Sequence, residues 1–261
     1  GSTLASGTTT YSASTALVGS DAVTGATLGA VANLQTMGVG TYSGTVVSSA
    51  ATGTGNFNST NYAVTYNPGT LTITPKALTI AANTVTTTYG TGVSLGSTAF
   101  TPTGLVNSDS ISGVNLQYSS TTSVPGTINV GTYTNAITAS GATGSGLSNY
   151  TISYAPANLV VNQAPITITA SNQTTTYGTA LSLGASAYTI TSGQLFNGNT
   201  ITGVTLTCTS ATCGTAVTSV PNTVNANPTG YTSAIVASAA TGTAATSGNY
   251  AITYAPGNLI I

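Results

Sequence analysis

The chain has 261 residues and a formal net charge of −1, with one Lys or Arg, two Asp or Glu, no His and no Trp. Asp21, Lys76 and Asp109 are the whole charged inventory. That leaves no group to titrate near neutral pH as a general acid or base and no partner to activate the many Ser and Thr hydroxyls. It also leaves no basic cluster to neutralise phosphates. A non-enzymatic protein without cofactor, metal or nucleic-acid partner is expected.

No window approaches the roughly 20 consecutive apolar residues needed to cross a bilayer, so membrane insertion is not expected. Abundant Val, Ile and Thr with 14 Tyr oppose disorder, which favours charge and avoids aromatic and β-branched residues.

In chain order, the first landmark is ALVGSDAVTGATL (Ala16 to Leu28), followed by GTY at Gly40 to Tyr42 and NYAVTYNPGTLTITPKALTI at Asn61 to Ile80. TTTYGT then runs from Thr86 to Thr91, GLVNSDSISGVNL from Gly104 to Leu116, and a second GTY from Gly131 to Tyr133. NYTISYAPANLVVNQAPITI (Asn149 to Ile168) leads to a second TTTYGT at Thr174 to Thr179, and GQLFNGNTITGVTL covers Gly193 to Leu206. TGY at Thr229 to Tyr231 and NYAITYAPGNLII from Asn249 close the series.

These landmarks recur as a block. Tyr89 and Tyr177 are 177 − 89 = 88 residues apart, Asn61 and Asn149 are 149 − 61 = 88 apart, and Gly25, Gly113 and Gly203 are spaced by 88 and 90. Three tandem repeats follow, at residues 1–75, 76–163 and 164–261. Aligning Asp21 with Asp109 sets Tyr11 near Phe100, so repeat 1 lacks its first strand region, the PKALTI…TTTYG portion. Excision from a longer array and a strand supplied by a neighbouring copy are both compatible with that. In repeat 3, Leu206 to Ser219 is 13 residues where Leu116 to Ser123 is 7, an insertion of six that contains Cys208 and Cys213. A disulfide stapling an elongated hairpin is expected there, against free buried thiols as the alternative.

ALTIAAN, TLTIT, AVTY, YTISYA and LVV alternate with period two and end in NPG, APG, APA and NGN, the signature of short strands between turns. One helical turn at LVNSD or LFNGN is the sole helical expectation. The fold expected is all-β, in β-grasp-like or small sandwich modules, with three repeats forming an elongated rod. Pro75 and Pro165 are expected to end one sheet and stiffen each joint.

A strand ending in TYG, then GLVNxD with a nearby glycine, GTY, SNYxIxY, and NLxI running into PKALTI resembles the MBG repeats, YGX type, of filamentous-haemagglutinin-like bacterial surface adhesins. The resemblance covers nearly the whole chain. It implies small β-rich extracellular modules without enzymatic residues. The near absence of charge and the cysteine insertion depart from the family pattern.

Tyr89 and Tyr177 read either as stacking platforms for sugars or as strand-end tyrosines packed on the core beside turn glycines Gly90 and Gly178. Tyr62, Tyr150 and Tyr250 read as structural, each after an Asn expected to bond its own backbone in a turn. Asp21 and Asp109, matched by Asn199, read as turn or cap residues rather than cation ligands. Asn58, Asn149 and Asn172 match N-x-Ser/Thr, a pattern that a chain this rich in these residues meets by chance.

The function expected is a structural segment of an extracellular or cell-surface fibrous protein: an adhesin stalk, a surface filament or a biofilm-matrix fibre. Copies of itself are the expected partners, with strand complementation as one route, because sheet edges here carry almost none of the charges that normally block association. The alternative is an adhesin module binding surface glycans or a receptor.

Overall fold

A computed structural model describes residues 16–29, 31 and 33–261. Tyr11, aligned above with Phe100, lies outside the described residues, as does the rest of 1–15. Two compact units emerge, with boundaries different from those of the sequence repeats. The first holds Gly1–Ala81, Phe100–Asn115 and Ser140–Ala155; the second holds Ala82–Ala99, Leu116–Ala139 and Pro156–Ile261.

In the first unit, Ala22–Leu28 pairs antiparallel with Ser48–Thr54, and Gly40–Val46 pairs antiparallel with Gly69–Ile73. A three-stranded sheet sets Lys76–Ala82 in the centre, flanked by Tyr150–Ala155 and Phe100–Thr103. Lys76–Ala82 and Tyr150–Ala155 run parallel, in the register Tyr150 to Lys76 through Ala155 to Ala81. Alternation decides which way this central strand faces: Leu78 and Ile80 are fully buried, whereas Ala77 before them and Thr79 between them are exposed.

The second unit holds the complete third repeat. Ala164–Ala170 lies between Tyr188–Ser192 and Tyr250–Ala255, again parallel to the latter, with Tyr250 opposite Ala164 and Tyr254 opposite Ile168. Its other sheet orders Gln173–Thr174, Gly257–Ile260, Tyr231–Thr241 and Gly203–Cys208. One core joins both sheets: Ile168 and Ala170 from the first pack with Leu206, Cys208, Ile235 and Leu259 from the second. That is a small sandwich. Among the described residues the longest helices, Ser210–Cys213 and Thr243–Thr246, have four residues each.

The helical turn expected at LVNSD and LFNGN is absent. Asn107 and Ser108 take φ of +57° and +63°, and Asn197 and Gly198 take +54° and +73°. Consecutive left-handed residues form a tight turn and cannot continue a right-handed helix. Short helices occur instead at Ser59–Asn61, before Tyr62, and at Leu147–Asn149 and Thr243–Thr246, ahead of the strands led by Tyr150 and Tyr250; residues 63–68 themselves belong to no strand.

Pro75 sits between strands, with Thr74, where Gly69–Ile73 hands over to Lys76–Ala82. Pro165 is placed differently from the expectation: it lies inside Ala164–Ala170, opposite Ala251, and only Gln163 separates that strand from Ala157–Asn162. Near a strand's start a missing N–H costs little.

Each repeat also carries the same tyrosine latch. The Tyr66 hydroxyl accepts the N–H of Ala51 at 2.9 Å, Tyr154 that of Ala142 at 2.9 Å, and Tyr254 that of Ala240 at 2.8 Å.

Candidate functional site at the repeat junctions

The side chains that recur in the sequence gather at the handover from one repeat to the next. They begin with a tyrosine and an acid. The Tyr62 hydroxyl donates to Asp21 Oδ2 at 2.7 Å, and the Tyr150 hydroxyl to Asp109 Oδ2 at 2.8 Å, both pairs 41 residues apart. In repeat 3, Asn199 replaces the acid and its Nδ2 donates to the Tyr250 hydroxyl at 3.3 Å. The loop backbone closes each node: Val106 N–H reaches the Tyr150 hydroxyl at 2.9 Å and Phe196 N–H the Tyr250 hydroxyl at 2.7 Å.

A phenol that donates to a carboxylate resists losing its proton. The bond to Asp21 raises the Tyr62 phenol above its ordinary value of 10.0. Burial raises that of Tyr150, and the bond to Asp109 adds to it.

The asparagines preceding these tyrosines act differently from the expectation of a local turn. Asn149 Oδ1 accepts the N–H of Val39, and Asn249 Oδ1 accepts the N–H of Val130, at 2.8 and 2.9 Å. Asn249 Nδ2 also donates to Asn129 Oδ1 at 2.9 Å. Each asparagine therefore ties its own repeat to the one before. Asn61, the counterpart in repeat 1, is exposed.

The TYG tyrosines split. Tyr89 is 4% exposed; its ring meets those of Tyr250 and Phe196 edge-on, at centroid distances of 5.5 and 6.4 Å, and its hydroxyl accepts Asn199 Nδ2 at 2.9 Å. Gly90 turns beside it with φ +87°, where a Cβ would overlap the Phe196 ring. Tyr177 is instead 62% exposed, contrary to a tyrosine packed on its own core, and Gly178 has open space around it at φ +84°. The pocket for Tyr89 is made by the following repeat, so the tyrosine's sequence position alone does not bury it. Val18, aligned with Val106 and Phe196, is 77% exposed in repeat 1.

The glycines Gly25, Gly113 and Gly203 each face a threonine. Gly25 pairs with Thr52, and a Cβ there would come within 2.6 Å of its Oγ1. The Gly113 and Gly203 carbonyls each accept a hydroxyl at 3.2 Å, from Thr143 and Thr241.

Cys208 and Cys213 form a disulfide around the short helix Ser210–Cys213. In repeat 2 the chain reverses through Ser119 and Ser120, both at positive φ, between the bonded pair Tyr118 and Thr121. In repeat 3 Cys208 and Val217 form the corresponding pair, and eight residues replace two. The disulfide closes that longer loop, while Cys208 itself lies fully buried in the core.

One cleft of about 620 Å³ opens in the first unit, lined by residues including Leu34, Ile73, Lys76, Asn107, Asp109 and Asn149. It collects the chain's lysine and one of its two carboxylates. Asp109 is engaged by Tyr150, and Asn149 by Val39. Among the described residues no cluster of three His, Cys, Asp or Glu is placed to hold a metal ion, and no helix is long and apolar enough to cross a membrane.

What the site assembles is a set of ties: a phenol to a carboxylate or amide, an asparagine to a neighbouring backbone, and a buried ring. The acid–tyrosine pair was invisible in the sequence as a pair; its constant spacing of 41 in repeats 1 and 2 is the signal that marks it.

Residues 78–160 match the family described as MBG domain (YGX type), an adhesin-type repeat, and the match falls within the second repeat. No curated protein and no solved structure matches the chain.

Proposed function

We propose that the chain is a non-enzymatic structural segment of an extracellular fibrous protein, such as an adhesin stalk, a cell-surface filament or a biofilm-matrix fibre. The observation that carries this reading is the junction itself. Strand passes to strand through two residues at Thr74 and Pro75 and through one at Gln163, and Asn149 and Asn249 tie each handover. Such joints suit repeats that must keep their spacing under load, because hydrogen-bonded ladders and small cores resist extension while no long linker yields first. The adhesin-type family match at residues 78–160 supports an extracellular setting.

Copies of the chain are the proposed partners. With 1% charged residues, the surface lacks the Lys and Glu that normally keep sheet edges apart. Exposed Tyr177 and Val18 occupy the positions whose counterparts are covered at the internal junction.

The test is to stretch single molecules held by their two ends. Discrete unfolding events, each releasing on the order of 300 Å for a repeat of about 88 residues at 3.3–3.6 Å per residue, are expected. Extension without force peaks overturns the mechanical reading. A second reading, glycan binding, is favoured by the exposed Tyr177 ring, since an exposed aromatic face can stack on a sugar. Saturable binding of the chain to immobilised glycans, abolished in Tyr177→Ala, would select it.

A further inference from the structure

The outer strands of the two three-stranded sheets are equivalent, yet one residue sets them apart. Phe100–Thr103, FTPT, flanks Lys76–Ala82, and Tyr188–Ser192, YTITS, flanks Ala164–Ala170. Among the described residues each has a strand neighbour on one side only. The offset is 188 − 100 = 88, so Pro102 corresponds to Ile190. Both pairings open on the same bond, Asn83 N–H to Ala99 O at 3.0 Å and Ser171 N–H to Ala187 O at 2.9 Å.

An antiparallel ladder alternates between residues whose backbone groups face the partner strand and residues whose groups face away. Ala187 faces inward, and the register is regular from Ala170 opposite Tyr188 to Ile168 opposite Ile190. Ile190 therefore turns its N–H and C=O outward, away from Ala164–Ala170. At the same place repeat 2 has Pro102, which has no N–H to offer. A proline whose missing donor lies on the open side guards a sheet edge against pairing. Repeat 2 carries that guard and repeat 3 does not.

No charge replaces it, because repeat 3, residues 164–261, contains none of Asp21, Lys76 and Asp109. Thr189, Thr191 and Ser192 are exposed, and Ile190 is half-buried. The other edges of repeat 3 are shorter or engaged. Gln173–Thr174 has two residues, Val204 in Gly203–Cys208 gives its N–H to Ala185 O at 2.9 Å, and Tyr254 in Tyr250–Ala255 accepts from Ala240.

We propose that Tyr188–Ser192 is a pairing edge for the same strand of a second copy of this chain, running antiparallel about a twofold axis at Ile190. The two copies exchange N–H to C=O bonds at Ile190, and Thr189 of each meets Thr191 of the other on the outer face. A second copy fits because twofold pairing sets any charge near its own duplicate, and this strand has none. Across the existing ladders the Thr169 and Thr191 hydroxyls already bond at 2.7 Å and those of Thr167 and Thr253 at 2.9 Å. The pairing continues that row of threonines and joins two three-stranded sheets into one of six. The register shift between Ile190 and Ser192 bends the strand and keeps the contact short, so the dimer is reversible. This inference rests on the reading that copies of the chain are its partners, and it names the surface they use.

The test is sedimentation equilibrium of the full chain at rising concentration, with amide exchange read at Ile190. A reversible change from 25.4 kDa to twice that mass is expected, with exchange at Ile190 slowed about tenfold or more as the dimer forms. Ile190→Pro installs the guard of repeat 2, and Thr191→Lys sets like charges across the twofold axis. Each should weaken association about tenfold or more while circular dichroism stays that of the parent. Thr191 is exposed, so its variant decides the matter if Ile190→Pro does not fold. A monomer up to the solubility limit, or association that Thr191→Lys leaves unchanged, overturns the pairing. Association without protection of Ile190 keeps copies as partners and overturns this surface. Force peaks on stretching single molecules are measured independently, so a failed pairing leaves the fibre reading standing.

Discussion

Asn249 Oδ1 accepts the backbone N–H of Val130 at 2.9 Å across 119 residues of sequence, a bond that makes a buried amide the fastener of a repeat junction. Asn249 is 4% exposed, whereas Val130 is half-buried.

Asn249→Ala should cost about 1–3 kcal/mol, since it removes a buried amide that accepts from Val130 and donates to Asn129. Denaturant unfolding measures it. Asn61→Ala, in an exposed position, should stay within about 0.5 kcal/mol of the parent. Equal costs would mean that the bond to Val130 is not what Asn249 contributes.

Gly90→Ala and Gly178→Ala separate backbone strain from packing. Both glycines have left-handed φ, so both substitutions incur about 1 kcal/mol or more. Only Gly90 carries the added overlap with the Phe196 ring. Gly90→Ala should lower the melting temperature several degrees more than Gly178→Ala; indistinguishable values would show that Phe196 moves aside freely.

Stability should fall as pH rises above about 10. The Tyr62 and Tyr150 phenols are raised by the Asp21 bond and by burial respectively. Above the ordinary tyrosine value the unfolded chain loses phenolic protons that the folded chain keeps. The unfolded state then binds fewer protons and the stability falls with pH. The contribution is complete below that value and lost as pH passes the raised one. Tyr150→Phe should flatten this alkaline slope in denaturant titrations; an unchanged slope would remove Tyr150 as a source.

Reduction of Cys208–Cys213, or Cys213→Ser, should lower stability by about 2 kcal/mol or less, because the closed loop is short and chain entropy scales with its length. Exchange at Cys208 and Val217, which bond each other's backbones, should accelerate first, with Val130 unaffected. Global unfolding on reduction would assign the disulfide a larger role than closing its hairpin.

The sequence by itself determined the repeat and most of the strands, although AVTY at residues 63–66, read as a strand, belongs to none. Period-two alternation depends only on neighbouring residues, so ALTIAAN and YTISYA state which side chains face inward. The offset of 88 states which positions are equivalent, and the insertion of six locates the loop that the disulfide closes. Local φ preferences were less legible: Asn107 and Ser108 could have opened a helix until their positive φ turned them into a tight reversal.

Only the tertiary structure decided what each equivalent residue meets. Tyr89 and Tyr177 share TTTYGT, yet one is buried by Phe196 and Tyr250 and the other is open. Tyr62 and Tyr150 share their alternation, yet only the strand led by Tyr150 has its ladder partner, Lys76–Ala82. Burial and hydrogen bonding between segments scores of residues apart depend on which surface arrives opposite, and a residue's own neighbours in sequence carry no record of that.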